Sequence, residues 1–307
     1  MDNAVIFLEG VLKFIHKQDP LNYKKTKSNV ERNRATHERE FSELLTLIYK
    51  FFSARNLTDE QVATSYLKMI SDMRIEGLSF KKTGLYSCKS QHDANVKVYS
   101  NSAVMDYYMD ALLMSQILWA HHFEMLIYFK QMLAAPLFKD IESVLDIGPG
   151  HGFFSFLTLE ELPALKRSEI VDISESSLAM TKAILGDKGG MINYYKKDIF
   201  DYSSSEKYDL IILGEVLEHL DDPLSILVQL RKLLSSNGHL WITTPTNAPA
   251  LDHVYLFKNK EEIEELLLKA KFKIVQSHGI YAEEVKPAIA ERYKISYLYG
   301  ALLTSAD

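Results

Sequence analysis

Acids, glycines and imidazoles recur at spaced positions in the second half of this 307-residue chain. The run Ser143-Val144-Leu145-Asp146-Ile147-Gly148-Pro149-Gly150-His151-Gly152 takes a short apolar stretch to an acid and then to three glycines spaced two apart. Glycines at such a point let the chain turn sharply off a strand and let a ligand approach the backbone closely. Residues 153–161 read as a helix whose N-terminal amides face that turn. Together these are the parts of a first βα crevice in a nucleotide-binding α/β sheet. A second acid, Asp172, closes the run Glu169-Ile170-Val171-Asp172-Ile173, where one carboxylate can accept from both hydroxyls of a ribose. After a third apolar run comes Asp198-Ile199, a carboxylate suited to an exocyclic adenine amine beside an apolar residue suited to the ring.

A different chemistry is written farther on, in Gly214-Glu215-Val216-Leu217-Glu218-His219 and in Asp252-His253. Glu215, Glu218 and His219 stand at i, i+3 and i+4, one face if the segment is helical. With His253 they make two carboxylates and two imidazoles, a donor set for Mg²⁺, Mn²⁺, Fe²⁺ or Zn²⁺. An ion held there would polarise a substrate hydroxyl and lower its pKa. Without an ion, Glu215 lines the ligand pocket and His219 or His253 is the candidate general base. Upstream, residues 98–123 are rich in Tyr, Met and His. Tyr99, Tyr107 and His122 are candidates there for contact with a cofactor or substrate, against the plainer reading of a buried helix. His121 and His122 are neighbours about 100° apart on a helix, a poor arrangement for sharing one ion.

These groups need a scaffold. Past residue 140, short apolar runs at 143–147, 168–173, 191–195, 208–213 and 238–244 alternate with helical stretches at 153–161, 175–185 and 222–235. Alternation of this kind predicts a parallel, doubly wound sheet. An amphipathic helix at 260–270 and two more strands at 272–281 and 293–304 follow. Before residue 140 the period is helical, at 3–16, 39–54, 59–76 and 102–134, with Thr58 and Gln61 placed as a capping box. Residues 17–40 carry both signs of charge and read as a solvated linker or an exposed helix face. Residues 77–98 read as loop or short strands, broken at Gly77 and Gly84. The expected division is a helical region, 1–139, and an α/β domain, 140–307.

Composition narrows the classes. The chain is 47% hydrophobic and 25% charged, as in an ordinary globular protein. A net charge of −6 and a pI of about 6.0 argue against a nucleic-acid partner, which calls for a basic surface. The lone Cys88 leaves no intramolecular disulfide and no thiolate metal cluster. No apolar run reaches the roughly 18 residues of a membrane span. The first residues lack a basic n-region and a continuous apolar core, so a cytoplasmic location is expected. Nothing in these patterns reports an oligomeric state.

Taken in order, the glycine turn, Asp172, Asp198 and the segment from Tyr208 to Pro245 resemble the class I S-adenosylmethionine-dependent methyltransferases. Within that class, Gly214-Glu215-Val216-Leu217-Glu218-His219 followed by Thr244-Pro245-Thr246-Asn247 looks most like the ubiquinone-biosynthesis O-methyltransferase group. The resemblance implies a Rossmann-like sheet of seven strands, the last antiparallel, with the N-terminal helices as a cover over the active site. It implies S-adenosylmethionine as cofactor. Asp146, Gly148 and Gly150 would lie around the methionine moiety with Gly152 completing the glycine set, Asp172 and Ile173 at the ribose, and Asp198 and Ile199 at the adenine. Gly214 and Tyr99 join them as candidate cofactor contacts. The Glu-x-x-Glu-His pattern also resembles metal-dependent small-RNA 2′-O-methyltransferases. The expected function is O-, N- or C-methylation of a small molecule, with specialised metabolism as its expected setting. Cyclisation or cleavage of S-adenosylmethionine on the same fold, and RNA 2′-O-methylation, are the competing expectations.

Overall fold

The computed structural model describes residues 2–306. Helices come first: α1 (Asn3–Gln18), α2 (Pro20–Thr36), α3 (Glu38–Ala54), α4 (Asp59–Thr83), the short α5 (Gln91–Ala94), α6 (Ser102–Leu118) and α7 (Ala120–Leu133). Strand and helix then alternate through β1 (Ser143–Ile147), α8 (Phe153–Glu161), β2 (Arg167–Asp172), α9 (Glu175–Leu185), β3 (Ile192–Lys196), β4 (Tyr208–Gly214), α10 (Pro223–Leu233) and β5 (Leu234–Thr246). The chain ends in α11 (Lys260–Lys269), β6 (Phe272–Tyr281), α12 (Pro287–Tyr293) and β7 (Tyr297–Ser305). The strands form one seven-stranded sheet in the order β3-β2-β1-β4-β5-β7-β6, with β7 antiparallel to both neighbours. The doubly wound, seven-stranded expectation therefore holds, antiparallel last strand included. Strand order reverses between β1 and β4, which pair in parallel. At that reversal the connections leave to opposite faces and open a crevice at the carboxyl ends.

The central strands read as unbroken apolar runs because both their faces are covered. Leu145, Ile211 and Leu213 share a cluster with Ile226, Leu230, Ile263 and Phe257 on one face. On the other, Val144, Leu210, Ile212 and Trp241 belong to a cluster that runs without interruption into Phe41, Phe52, Tyr66 and Phe129 of the N-terminal helices. The seam is aromatic: Phe129 of α7 stands 4.9 Å from Phe154 and 5.2 Å from Trp241 between ring centroids. No helix among the described residues is long and apolar enough to cross a membrane.

Several local expectations shift. Residues 17–40 are not a linker: Asp19 caps α2 by accepting from the Asn22 amide at 3.0 Å, and Pro20 opens the helix. The capping box at Thr58 and Gln61 forms as expected. Gly77 does not end α4, which runs on to Thr83 and stops at Gly84 in the left-handed region, φ 71°. Residues 91–99 are helical rather than extended, and 95–99 form a π-helical turn. The long helix expected at 102–134 is broken at Trp119, which is extended at φ −108° and ψ 131°. No glycine or proline marks that break. Asn29 and Asn33 of α2 donate to the carbonyls of Leu118 and Ile117 at 3.1 and 3.2 Å, which satisfies two acceptors a helix end leaves open. The last strand begins at Tyr297 rather than 293 because α12 takes Tyr293.

Two glycines test this packing in opposite directions. A Cβ on Gly300 in β7 would lie 2.9 Å from the Trp241 ring and 2.6 Å from Met125 Sδ of α7. Gly300→Ala should destabilise the chain by about 1–3 kcal/mol in urea unfolding. A Cβ on Gly77 meets nothing within 4 Å, so Gly77→Ala should stabilise by about 0.5–1 kcal/mol.

Candidate active site

The crevice is built from the turns that follow β1 to β5. After β1, Gly148 and Gly150 turn at φ 63° and 57°. A Cβ on Gly150 would meet nothing within 4 Å, so this position opens onto free space rather than onto packing. The loop is tied from behind: Thr181 Oγ1 donates to the Gly150 carbonyl at 3.1 Å, and the Gly148 amide donates to the Val171 carbonyl at 2.9 Å. His151 Nδ1 accepts from the Phe153 amide at 3.1 Å, and burial pushes its pKa down to about 4. Asp172 ends β2 and accepts from the Ser174 amide at 2.7 Å and from Ser177 Oγ at 2.5 Å. Burial pushes its pKa up. Each carboxylate oxygen keeps a lone pair for a ligand hydroxyl. Asp198, after β3, caps the turn at Ile199–Asp201 by accepting from the Phe200 amide at 2.9 Å.

Across the crevice, the chain after β4 does not become the helix its spacing implied. Glu215 sits at φ 54°, residues 217–219 make one 3-10 turn, and α10 starts only at Pro223, capped by Asp222. Proline at the first helical position and an aspartate cap set the start there. The carboxylates still converge. Glu215 is anchored by its amide, which donates to the Thr243 carbonyl at 2.9 Å, and Thr244 Oγ1 donates to Glu218 Oε2 at 2.8 Å. Burial raises the pKa of Glu215 to about 7; burial, and next the charge of Glu215, push that of Glu218 well up. The loop after β5 is pinned over this turn, with the amides of Val254 and Tyr255 both donating to the Glu218 carbonyl at 2.8 Å. That places the ring of His253 4.9 Å from the ring of His219, nearly perpendicular. Burial pushes His253 down to about 4. One ligand atom from each of Glu218, His219 and His253 lies within 4.8 Å of the others. Glu215 Oε1, Glu218 Oε1 and His253 Nδ1 are buried without a hydrogen-bond partner.

Both halves open into one cavity of about 530 Å³. Its wall includes Gly148, Gly150, Asp172, Ile173, Asp198, Ile199, Gly214, Glu215, Glu218, His219, His253, Tyr99 and His122. The helices close it with Met105, Met109, Leu112 and Trp119. Three expected contacts are displaced. Asp146 is buried behind the loop, where Ser155 Oγ donates to it at 2.5 Å. Gly152 packs on Thr181, whose Cα a Cβ would approach to 3.1 Å. Tyr107 points away and donates to Asp72 at 2.7 Å, while Tyr108, about 100° round the helix, takes the cavity side. His122 meets Ser115 Oγ at 2.9 Å and Gln116 Nε2 at 3.1 Å through Nδ1. His121 and His122 both line the wall, rings 4.5 Å apart, and burial pushes both pKa values down, His121 to about 3. Sequence reasoning missed Tyr108, Trp119 and the side chain of Asp252. For Asp252 its place beside His253 was the available signal.

Asp146 gives a pH test. Burial, with Ser155 opposing it and Asp172 adding repulsion, raises its pKa to about 7 from an ordinary 3.8. The folded chain therefore holds a proton that the unfolded chain releases, and stability is full below about pH 4 and falls as pH rises toward 7. Buried His121, His122, His151 and His253, with pKa values pushed down, contribute the opposite slope, so the test is a difference: between about pH 5 and 7.5 the thermal midpoint of the ligand-free wild type should fall relative to that of Asp146→Asn in calorimetric scans.

Comparison with known proteins bears on the same residues. A family model described as a methyltransferase domain matches residues 118–277, from the end of α6 into β6. Malonyl-[acyl-carrier protein] O-methyltransferase 1 of Ilyobacter polytropus is 30% identical over 102 residues, 33% of this chain and 37% of that protein. The ubiquinone biosynthesis O-methyltransferase of Nitrosomonas europaea is 27% identical over 150 residues, 48% of this chain and 59% of that protein. The chain thus matches less than two thirds of the length of these relatives. In fold it is similar to the N-methyltransferase NodS of Bradyrhizobium japonicum solved with S-adenosylhomocysteine, at a TM-score of 0.52 and 17% identity over 71% of this chain and all of that one. The mitomycin 7-O-methyltransferase structure gives a TM-score of 0.54 at 14% identity, over 76% of this chain and 68% of that one. With the family model spanning more than half of the chain and the sheet in the 3-2-1-4-5-7-6 order, this protein belongs to the class I S-adenosylmethionine-dependent methyltransferases.

Proposed function

We propose that the chain binds S-adenosylmethionine in the crevice and transfers its methyl group to a small molecule held under the helices. The observation that carries this is the single cavity, with the glycine turn, Asp172 and Asp198 on one side and Glu215, His219 and His253 facing an apolar helical wall. Asp172 holds the ribose diol, Ile199 packs on the adenine with Asp198 at its amine, and the Gly148–Gly150 backbone takes the methionine end. The acceptor atom attacks the methyl carbon in line as the carbon–sulfur bond breaks, and S-adenosylhomocysteine leaves as a neutral thioether. The protein's part is alignment and exclusion of water. His219 Nε2 is the candidate to take the acceptor's proton. A cavity of this size closed by methionines and Trp119 suits a small, largely apolar acceptor.

Calorimetry tests the cofactor assignment. Asp172→Ala should weaken S-adenosylhomocysteine by about 10- to 100-fold, the loss of hydrogen bonds to a charged group. Unchanged affinity would remove the ribose assignment.

A second reading is favoured by the three orphaned atoms. Glu218, His219 and His253, with Glu215 beside them, fit a divalent cation by donor chemistry, a mixed oxygen and imidazole set. Such an ion, when bound, would stabilise the deprotonated acceptor oxygen. Elemental analysis of purified protein should then find about one equivalent of metal, lost in Glu218→Ala and His253→Ala; metal-free wild type that transfers methyl would leave the imidazole as base.

A further inference from the structure

Behind His219 lies a closed set of hydrogen bonds that the reaction as described does not use. Asp252 is 3% exposed and receives two tyrosines: Tyr108 donates to Oδ1 at 3.0 Å and Tyr99 to Oδ2 at 3.1 Å. The Tyr99 oxygen also lies 3.1 Å from His219 Nδ1. The Asp252 carbonyl lies 3.1 Å from the same nitrogen. Both carboxylate oxygens are thus occupied as acceptors of hydroxyl protons, so Asp252 accepts from Tyr99 and Tyr108. A hydroxyl has one proton. Tyr99 spends that proton on Asp252 and offers His219 only a lone pair. The Asp252 carbonyl offers only lone pairs as well. Nδ1 of His219 therefore faces two acceptors and must carry the ring proton. Nε2 is left bare, 3.8 Å from Glu218 Oε1.

We propose that Asp252, acting through Tyr99, is a positioning residue that sets the tautomer of His219. The π-helical turn at Asn95–Tyr99 puts Tyr99 in place, and the loop pinned by Val254 and Tyr255 brings Asp252. A π turn adds a residue to the helical circuit and so re-aims one side chain without moving the next helix. A bare Nε2 is what either role of His219 requires, since a base and a metal ligand both present a lone pair. The value of the device for turnover rests on the methyl-transfer reading above. The tautomer itself is read without turnover, so failure of that reading and failure of this one are separate results.

The test is long-range ¹H–¹⁵N NMR of the ten histidines at about pH 8, with His219 assigned by its loss in His219→Asn. In the wild type the His219 signals should show a protonated Nδ1 and an unprotonated Nε2; the opposite pattern overturns the proposal with no variant needed. In Asp252→Ala the Tyr99 hydroxyl is released to donate to Nδ1, and a large share of His219 should move to the Nε2–H form. Adding Tyr99→Phe to Asp252→Ala leaves the residue 252 carbonyl as the remaining acceptor and should return the ring to Nδ1–H. Tyr108→Phe removes one bond to the same carboxylate and should leave the tautomer unchanged. A merely structural Asp252 would give no tautomer shift in Asp252→Ala, or an equal shift in Tyr108→Phe, and either result overturns the assignment. In any methyl-transfer assay Asp252→Ala should lower kcat by about 10- to 100-fold, the usual loss for a group that orients a ligand or base.

Discussion

The site depends on the packing of α7 against the sheet. Phe129, Phe154 and Trp241 meet there, and Gly300 lets the helix come within methyl distance of the strand. That contact joins the N-terminal helices to the α/β half in one continuous apolar cluster. It also fixes where α6 lies, and α6 supplies Met105, Tyr108, Met109 and Leu112 to the cavity wall. Without that seam the crevice at the β1–β4 reversal would be an open groove in water. With it, the crevice is a cavity.

Closing the cavity sets its electrostatics. Asp172, Glu215 and Glu218 all have pKa values raised first by burial, and His121, His122, His151 and His253 all have theirs lowered for the same reason. Burial thus works against the charged forms of these carboxyls and imidazoles. Asp252 is the exception, because two hydroxyls and two imidazoles converge on it. Weakening fixed anions in the wall suits a sulfonium ligand whose charge disappears on transfer, since fixed anions would bind reactant better than product.

Legibility followed the range of the interactions. The glycine turn, Asp172 and Asp198 were readable because each sits where a strand ends, and a strand end is a local pattern. The helical face drawn through Glu215, Glu218 and His219 was not what formed, since Pro223 and Asp222 start the helix later. Yet Glu218 and His219 meet, with His253, because the turn is clamped by Thr243, Thr244 and the loop after β5. The break at Trp119 had no local mark, as its capping donors come from Asn29 and Asn33 on another helix. Gly77 looked like a stop and was not one; a lone glycine costs a helix only about 1 kcal/mol, which packing on both sides of it outweighs.

By itself the sequence determined the alternation of strand and helix past residue 140, hence a doubly wound sheet, and the acids and glycines at the strand ends, because these follow from period and from backbone preference within a few residues; the antiparallel last strand was implied by the family resemblance. Only the tertiary structure decided which side chains share the cavity. It sent Tyr107 away and Tyr108 in, moved Asp146 behind the loop, brought Asp252 under two tyrosines, and left Nε2 of His219 bare. The last two turn on contacts between segments more than a hundred residues apart, Tyr99 with His219 and both tyrosines with Asp252, and the direction of a hydroxyl proton is settled by what lies on its far side.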